Sequence, residues 1–247
     1  MKTKKEIKNT QKRVFRKIGQ ANKSYNLINE NDKILVAVSG GLDSFVLLET
    51  LASRLKHLPI KYTIHAIHVV IENLPVQTDT KLITEQCEIL GVPLHTEKTS
   101  ISKEGNKKTS NCFPCSWNRR KTIFKKAKEL GCNKVAMGHH LDDALETLMM
   151  NTVYHAEISA IPPKLFMVKG NIEIVRPLML LTEEEVKAYA KVKNIHSAEE
   201  QCPFEDESKR KTFKEIIKKI GSMHKEAKIN MFNSMAKIMP EYLPPKR

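Results

Sequence analysis

Apolar residues recur at helical spacing from Val14 to Ile28 (Val14, Ile18, Ala21, Tyr25, Ile28), which predicts an N-terminal helix with a basic outer face. The polar stretch NENDK breaks it. KILVAV, residues 33–38, is a short apolar run that predicts a strand; it ends in SGGLDS, after which FVLLETLASRL predicts a helix. The alternation continues with KYTIHAIHVVI (61–71) as a strand, 78–90 as a helix stopped by Gly91, and VPLHTEK as a third strand. NRRKTIFKKAKEL then predicts a helix ended by Gly131, NKVAMG (133–138) a fourth strand, and HHLDDALETLMMN another helix. Strands alternating with helices of this length make βαβ units, and so a parallel sheet covered on both faces.

Beyond residue 152 the rhythm changes. AEISAIPPKLFMVKGN is expected to be loop, IEIVRPL one more strand, and Thr182 with Glu185 a capping box that opens the helix EEEVKAYAKVK. KRKTFKEIIKKI places Phe213, Ile216, Ile217 and Ile220 on one helical face and its lysines on the other, and HKEAKINMFNSMAKIM predicts a last helix before a frayed tail.

Composition narrows the class. A chain of 247 residues with 40% hydrophobic content can bury a core. No window approaches the ~18 unbroken apolar residues of a membrane helix, and the basic N-terminus never opens into an apolar leader. A soluble, cytoplasmic protein with no membrane partner is expected. The five cysteines, an odd number without an export signal, argue for reduced thiols rather than a disulfide framework. The net charge of +14 is concentrated: residues 1–28 hold nine Lys or Arg against one acid, Glu6. Such a surface attracts polyanions, although charge alone cannot separate RNA from DNA.

SGGLDS carries the first chemistry. Its glycines let backbone approach an anion, the helix N-terminus favours phosphate, and Ser39 and Ser44 add hydroxyls. Asp43 would repel phosphate unless a cation intervenes, so it is a natural Mg²⁺ ligand. The segment is neither a Walker loop nor a dinucleotide fingerprint. GHHLDD (138–143) follows the fourth strand as SGGLDS follows the first. In a doubly wound sheet those strands are neighbours at the switch point, and the two loops face one crevice.

NCFPCSWNRRK supplies the second chemistry. Cys112 and Cys115 precede the predicted helix, and Cys202 lies in a later loop; Cys87 and Cys132 read as small core residues. Three thiolates suit either a [4Fe-4S] cluster with one iron left open or a zinc completed by His or water. Trp117 is expected to pack this loop against the core, with stacking on a base as the alternative.

SGGLDS matches the S-G-G-x-D-S loop of the N-type ATP pyrophosphatases, which split ATP to AMP and pyrophosphate to adenylate an oxygen. Among these the chain resembles the tRNA 2-thiocytidine synthetase family over residues 14–220, including GHHLDD, Cys112-x-x-Cys115 and the later lone cysteine. The resemblance implies an α/β fold with a doubly wound parallel sheet of the adenine nucleotide alpha hydrolase type and added terminal helices. It implies ATP contacts at Ala37, Val38, Ser39, Gly40, Gly41, Asp43, Ser44, His68, Gly138 and Asp143, with Mg²⁺ on Asp43. A buried, satisfied strand histidine is the alternative for His68. It further implies a cluster held by Cys112, Cys115 and Cys202, with Asp43, Cys112 and Cys115 catalytic. The chain departs from many relatives at Leu42, where they carry Lys, so another cation must meet the pyrophosphate; Lys33 and Arg119-Arg120-Lys121 are candidates. It departs again after Cys202, where CPFEDE lacks a further cysteine.

The implied reaction adenylates the C2 oxygen of an anticodon-loop cytidine and replaces it with sulfur. The partners are tRNA and a sulfur donor such as a cysteine desulfurase. Residues 119–128 and 209–219 and the N-terminal helix are the expected phosphate contacts, with a homodimer possible through an apolar face of a terminal helix. The expected organisation is a basic helix (1–30), an ATP pyrophosphatase domain with the iron-sulfur site (31–220), and a C-terminal helix and tail (221–247). The competing readings are a PP-loop ligase, such as a lysidine synthetase, and a zinc-stabilised nucleotide- and RNA-binding protein without turnover.

Overall fold

A computed structural model describes residues 4–55, 59–73, 78–100, 112–167, 171–198 and 210–244. The chain divides into two compact units, residues 1–140 with 163–207, and residues 141–162 with 208–247.

The first unit is built on a six-stranded sheet. Its strands are β1 (Lys33–Ala37), β2 (Thr63–Ile71), β3 (Leu94–Thr99), β4 (Lys134–Ala136), β5 (Lys164–Met167) and β6 (Ile172–Val175), in the order β3-β2-β1-β4-β6-β5. All neighbours are parallel except β5, which pairs antiparallel with β6. The alternation of side chains along β1 explains the layering: Ile34 and Val36 enter one core and Leu35 the other. The first core is completed by α1 (Lys4–Tyr25), α2 (Leu42–Leu55), α3 (Thr80–Leu90) and α6 (Glu183–Lys193); the second takes Ile123 and Ala127 from α4 (Cys112–Glu129). The capping box is formed, with Thr182 Oγ1 accepting from the Glu185 amide and the Glu185 carboxylate accepting from the Thr182 amide.

Two expectations are corrected here. The segment after residue 156 is not all loop, because KLFM adds the edge strand β5; its Leu165 and Phe166 are both exposed, so it lacks the in-out alternation that betrays a strand. The apolar stripe of α1 is not available to a second copy, since Val14, Ile18 and Ala21 are buried and Lys17 and Arg13 pair with Glu185 of α6.

The amino edge of the sheet is closed by a buried lysine. Lys134 Nζ lies 3.0 Å from Asp32 Oδ2 and 3.2 Å from Glu173 Oε2, and donates to the Leu27 carbonyl at 2.6 Å. The carboxyl edge carries the nucleotide motif.

The second unit contains α5 (Leu141–His155), α7 (Arg210–Met223), α8 (Ala227–Ser234) and a 3₁₀ turn at Pro240–Tyr242. Phe213 and Ile217 bury the apolar face of α7, and Tyr154 meets Phe213 edge to face. Among the described residues no helix is long and apolar enough to cross a membrane.

Candidate nucleotide and thiol site

SGGLDS folds as a hydrogen-bonded ring. The Gly41 amide donates to Ser39 Oγ (3.1 Å), Ser39 Oγ donates to Ser44 Oγ (3.4 Å), and Ser44 Oγ donates to the Gly41 carbonyl (2.7 Å). The hydroxyls thus brace from within a turn that stands at the N-terminus of α2, the positive end of its dipole. Gly40 sits at φ +103°, where L side chains rarely go, and a Cβ there would lie 2.6 Å from Thr78 Cγ2.

A strap fixes this turn from outside. The Ala198 amide donates to the Gly40 carbonyl at 2.8 Å and Ser197 Oγ donates to it at 3.3 Å; the Ala198 carbonyl accepts from the Asp79 amide at 2.9 Å. Asp79 is itself the N-cap of α3. Thr78, Asp79, Ser197 and Ala198 carried no recognisable motif, and only their position in space shows their part.

GHHLDD meets the turn as the strand order required. β1 and β4 pair with Val36 level with Ala136, so Gly138 leaves the sheet level with Val38, just before the turn. A Cβ on Gly138 would come within 3.0 Å of the Asp43 carbonyl carbon, 3.1 Å of its oxygen and 3.1 Å of the Ser44 amide nitrogen. The glycine therefore lets the loop after β4 press on the first turn of α2. His140 Nε2 lies 3.7 Å from Asp43 Oδ2, and that carboxylate is 43% exposed, accessible to a cation. Arg176, buried just past β6, donates from Nε to His139 Nδ1 at 3.4 Å, a contact with no local signature in the sequence.

Ala37 ends β1 and Val38 is buried, its amide donating to the Ile67 carbonyl at 2.8 Å. His68 is buried beside it. Its Nδ1 lies 2.8 Å from the Val38 carbonyl, which can only accept, so Nδ1 carries the proton and Nε2 the lone pair. Burial lowers the His68 pKa, with the positive charge of Arg119 adding to the effect against the Val38 hydrogen bond. His68 is thus both the satisfied strand histidine and a fixed, neutral acceptor. Asp143 lies in the first turn of α5, in the second unit, where its carbonyl accepts from Thr147 Oγ1.

The thiols stand differently from the expectation. Cys112 and Cys115 lie within α4 rather than before it, one turn apart, because Pro114 is tolerated in a first turn where its missing N–H costs no hydrogen bond. Cys115 is partly exposed. The Cys112 side chain and Cys202 lie outside the described residues, and among those described no three His, Cys, Asp or Glu gather as a metal site. Cys87 and Cys132 are buried as expected; burial raises the Cys87 thiol to about 11 and pushes that of Cys132 upward.

Two basic candidates separate. Lys33 begins β1 at the amino edge, away from the turn that follows Ala37, so the strand itself rules it out as a phosphate ligand. Arg119, one turn beyond Cys115, has a buried Nε without a hydrogen-bond partner among the described residues, and its charge is felt at His68. Trp117 is 62% exposed and does not pack against the core.

The PP-loop domain family matches residues 9–220. A tRNA-cytidine(32) 2-sulfurtransferase from Herminiimonas arsenicoxydans is 32% identical over 240 residues, covering 94% of this chain and 74% of that protein. One from Geotalea uraniireducens (strain Rf4) is 31% identical over 241 residues, 95% of each chain. The U34-tRNA thiolase NcsA from Methanococcus maripaludis, solved with its [4Fe-4S] cluster, matches with a TM-score of 0.76 and 21% identity over 96% of this chain and 82% of that one; at this identity the likeness is one of fold.

Proposed function

The chain belongs to the PP-loop domain family and, within it, to the tRNA-cytidine(32) 2-sulfurtransferases, and on that premise we propose that it thiolates a tRNA cytidine at the expense of ATP. The observation that carries the reading is the contact of Gly138 with Asp43 and Ser44, which joins the two motif loops at one sheet edge. The cytidine C2 oxygen attacks the α-phosphorus of ATP and pyrophosphate leaves. A sulfur nucleophile then adds at C2, the C2–O bond breaks, and AMP departs with the oxygen.

The residues divide this work. The turn at residues 39–44 and the α2 N-terminus receive phosphate oxygens, and neutral His68 offers an acceptor beside the nucleotide. Ala37, Val38 and Gly138 shape the walls, and Asp143 is assigned to the nucleotide by its motif. Asp43, whose carboxylate is partly exposed, would hold a Mg²⁺ ion, which when bound would neutralise charge on the departing pyrophosphate. Arg119 takes the place of the loop cation that Leu42 does not supply: a buried guanidinium nitrogen with no described partner is costly unless an anion meets it.

Two cysteines one helical turn apart fit the edge of a cluster, with Cys202 as third ligand. When bound, a [4Fe-4S] cluster with three thiolate ligands supplies an open iron at which sulfur can be held. The finer assignments complete the proposal: a cysteine desulfurase as sulfur source, a cytoplasmic site of action, and tRNA phosphates on α1, α4 and the exposed lysines of α7. A homodimer has to use a surface other than the buried stripe of α1.

Two variants test the division of labour, by pyrophosphate release with tRNA and by mass spectrometry of tRNA nucleosides. Asp43→Ala is expected to abolish both pyrophosphate release and 2-thiocytidine. Cys202→Ser is expected to spare adenylation and abolish 2-thiocytidine. Loss of pyrophosphate release in both variants overturns the two-site reading, and 2-thiocytidine formed by Cys202→Ser overturns the thiol assignment.

A further inference from the structure

We propose that His65 on β2 and His95 on β3 form a binding site for a divalent transition-metal ion of the zinc kind, separate from the nucleotide and thiol residues. The two rings stand near the amino ends of adjacent parallel strands. His65 is level with Leu35 of β1 and His95 with Ile67 of β2, so both project from the face that carries Leu35 and Ile67 into the second core. His65 Nδ1 lies 3.2 Å from His95 Nε2, with ring centroids 5.4 Å apart and planes inclined at 34°. Both residues are half-buried, so an ion from solvent can reach them.

A shared hydrogen bond accounts for the pair as it stands, yet the spacing is also that of two ligands on one ion. Nitrogens at ~2.0–2.1 Å from a tetrahedral zinc stand about 3.3 Å apart. The paired strands already hold both imidazoles in place, so binding has little left to order. Entry of the ion needs only small ring rotations and transfer of the shared proton to the far nitrogen of its own ring. Burial, then the charges of Lys33 and His95, lower the His65 pKa and keep that ring in the neutral form that ligates. Imidazole suits zinc, copper or nickel, whereas Mg²⁺ seeks oxygen. Glu97, two residues along the same face of β3, is paired with Lys126 of α4 at 2.5 Å. Among the described residues no third His, Cys, Asp or Glu gathers with the pair, so water completes the shell. Lys33 works against a cation and limits the affinity.

The test is a Zn²⁺ titration of the full chain, followed by calorimetry and by Tm, with Cys112→Ser, Cys115→Ser and Cys202→Ser removing competition from the thiols. His65 and His95 are 30 residues apart in sequence, so only the folded chain presents them together, and zinc is expected to raise Tm to a plateau. His65→Gln and His95→Gln are each expected to weaken zinc about tenfold or more, a loss of at least ~1.4 kcal/mol. Mg²⁺ is expected not to compete. Absence of a saturable zinc site, or zinc affinity unchanged in either glutamine variant, overturns the proposal. If a variant fails to fold, nitrogen NMR of the chain with both histidines intact decides. Zinc is expected to shift the His65 Nδ1 and His95 Nε2 resonances together, and zinc that shifts neither overturns the site.

Discussion

Gly138→Ala probes the join between the two motif loops. The added methyl would stand 3.0 Å from the Asp43 carbonyl carbon and 3.1 Å from both the Asp43 oxygen and the Ser44 nitrogen, where ordinary contact begins near 3.4 Å. All three atoms are backbone, so no side chain can swing aside, and the first turn of α2 must retreat by a few tenths of an ångström. Forcing an extra carbon into a closed contact costs about 1–3 kcal/mol. At about 2–4 °C per kcal/mol for a chain of this size, Tm falls by about 2–12 °C. The same displacement moves the turn proposed to receive phosphate. A full 1 Å misplacement can cost ~100-fold, so about tenfold slower adenylation is expected. Differential scanning calorimetry and tRNA-dependent pyrophosphate release measure the two effects. Gly19→Ala is the control: its Cβ would meet only the Arg54 guanidinium at 3.6 Å, and alanine in mid-helix gains about 0.5–1 kcal/mol. Wild-type Tm and adenylation in Gly138→Ala would refute the tight crossing, and with it the structural basis for joining the two motifs.

Gly40→Ala combines a φ of +103° with a 2.6 Å clash against Thr78, so it should cost ATP affinity at least tenfold in a titration; Thr78→Gly in the same chain relieves the clash but not the strain, and full recovery would refute the backbone argument. His68→Asn keeps a donor for the Val38 carbonyl but cannot titrate. Because burial holds the folded His68 pKa below its ordinary 6.5, the unfolded chain binds the proton first. Wild-type stability from this group is intact above pH 6.5 and lost as pH falls toward the lowered folded value, so the acid limb of Tm against pH should be shallower in His68→Asn. Trp117→Ala should leave Tm within about 1 °C yet weaken tRNA binding about 5- to 150-fold, the range of one lost base stack; unchanged binding in a filter assay would leave the exposed indole without that role.

The alternation of apolar runs sufficed for five of the six strands and for the pairing of β1 with β4, because parallel strands buried on both faces read as continuous apolar segments. β5 escaped because an edge strand with two exposed apolar neighbours follows Pro162 and Pro163 and shows no period. The start of α4 escaped because cysteines and Pro114 resemble a loop, although a first turn accepts proline. That error carried the next: read as helix from Cys112, the phase set by Ile123 and Ala127 already places Trp117 well off the buried stripe. The glycine-rich turn and Asp43 were legible as a motif. Its supports at Thr78, Asp79, Ser197 and Ala198 were not, nor was the contact of Arg176 with His139, since each acts through a backbone group or a long-range contact that leaves no local signature. Lys33 looked plausible in sequence only because four strand residues of separation do not show which edge of a sheet a side chain occupies.

The strap across Gly40 bears on how the chain is made. The nucleotide turn is translated early, yet the Gly40 carbonyl meets Ser197 only 157 residues later. At ribosomal rates of ~5–20 residues per second that interval lasts about 8–30 s. Throughout it the nascent chain holds an unfinished turn, and β1 waits for β4 as well. A fragment ending before Ser197 presents the complete motif without the Ser197 and Ala198 groups that hold the Gly40 carbonyl.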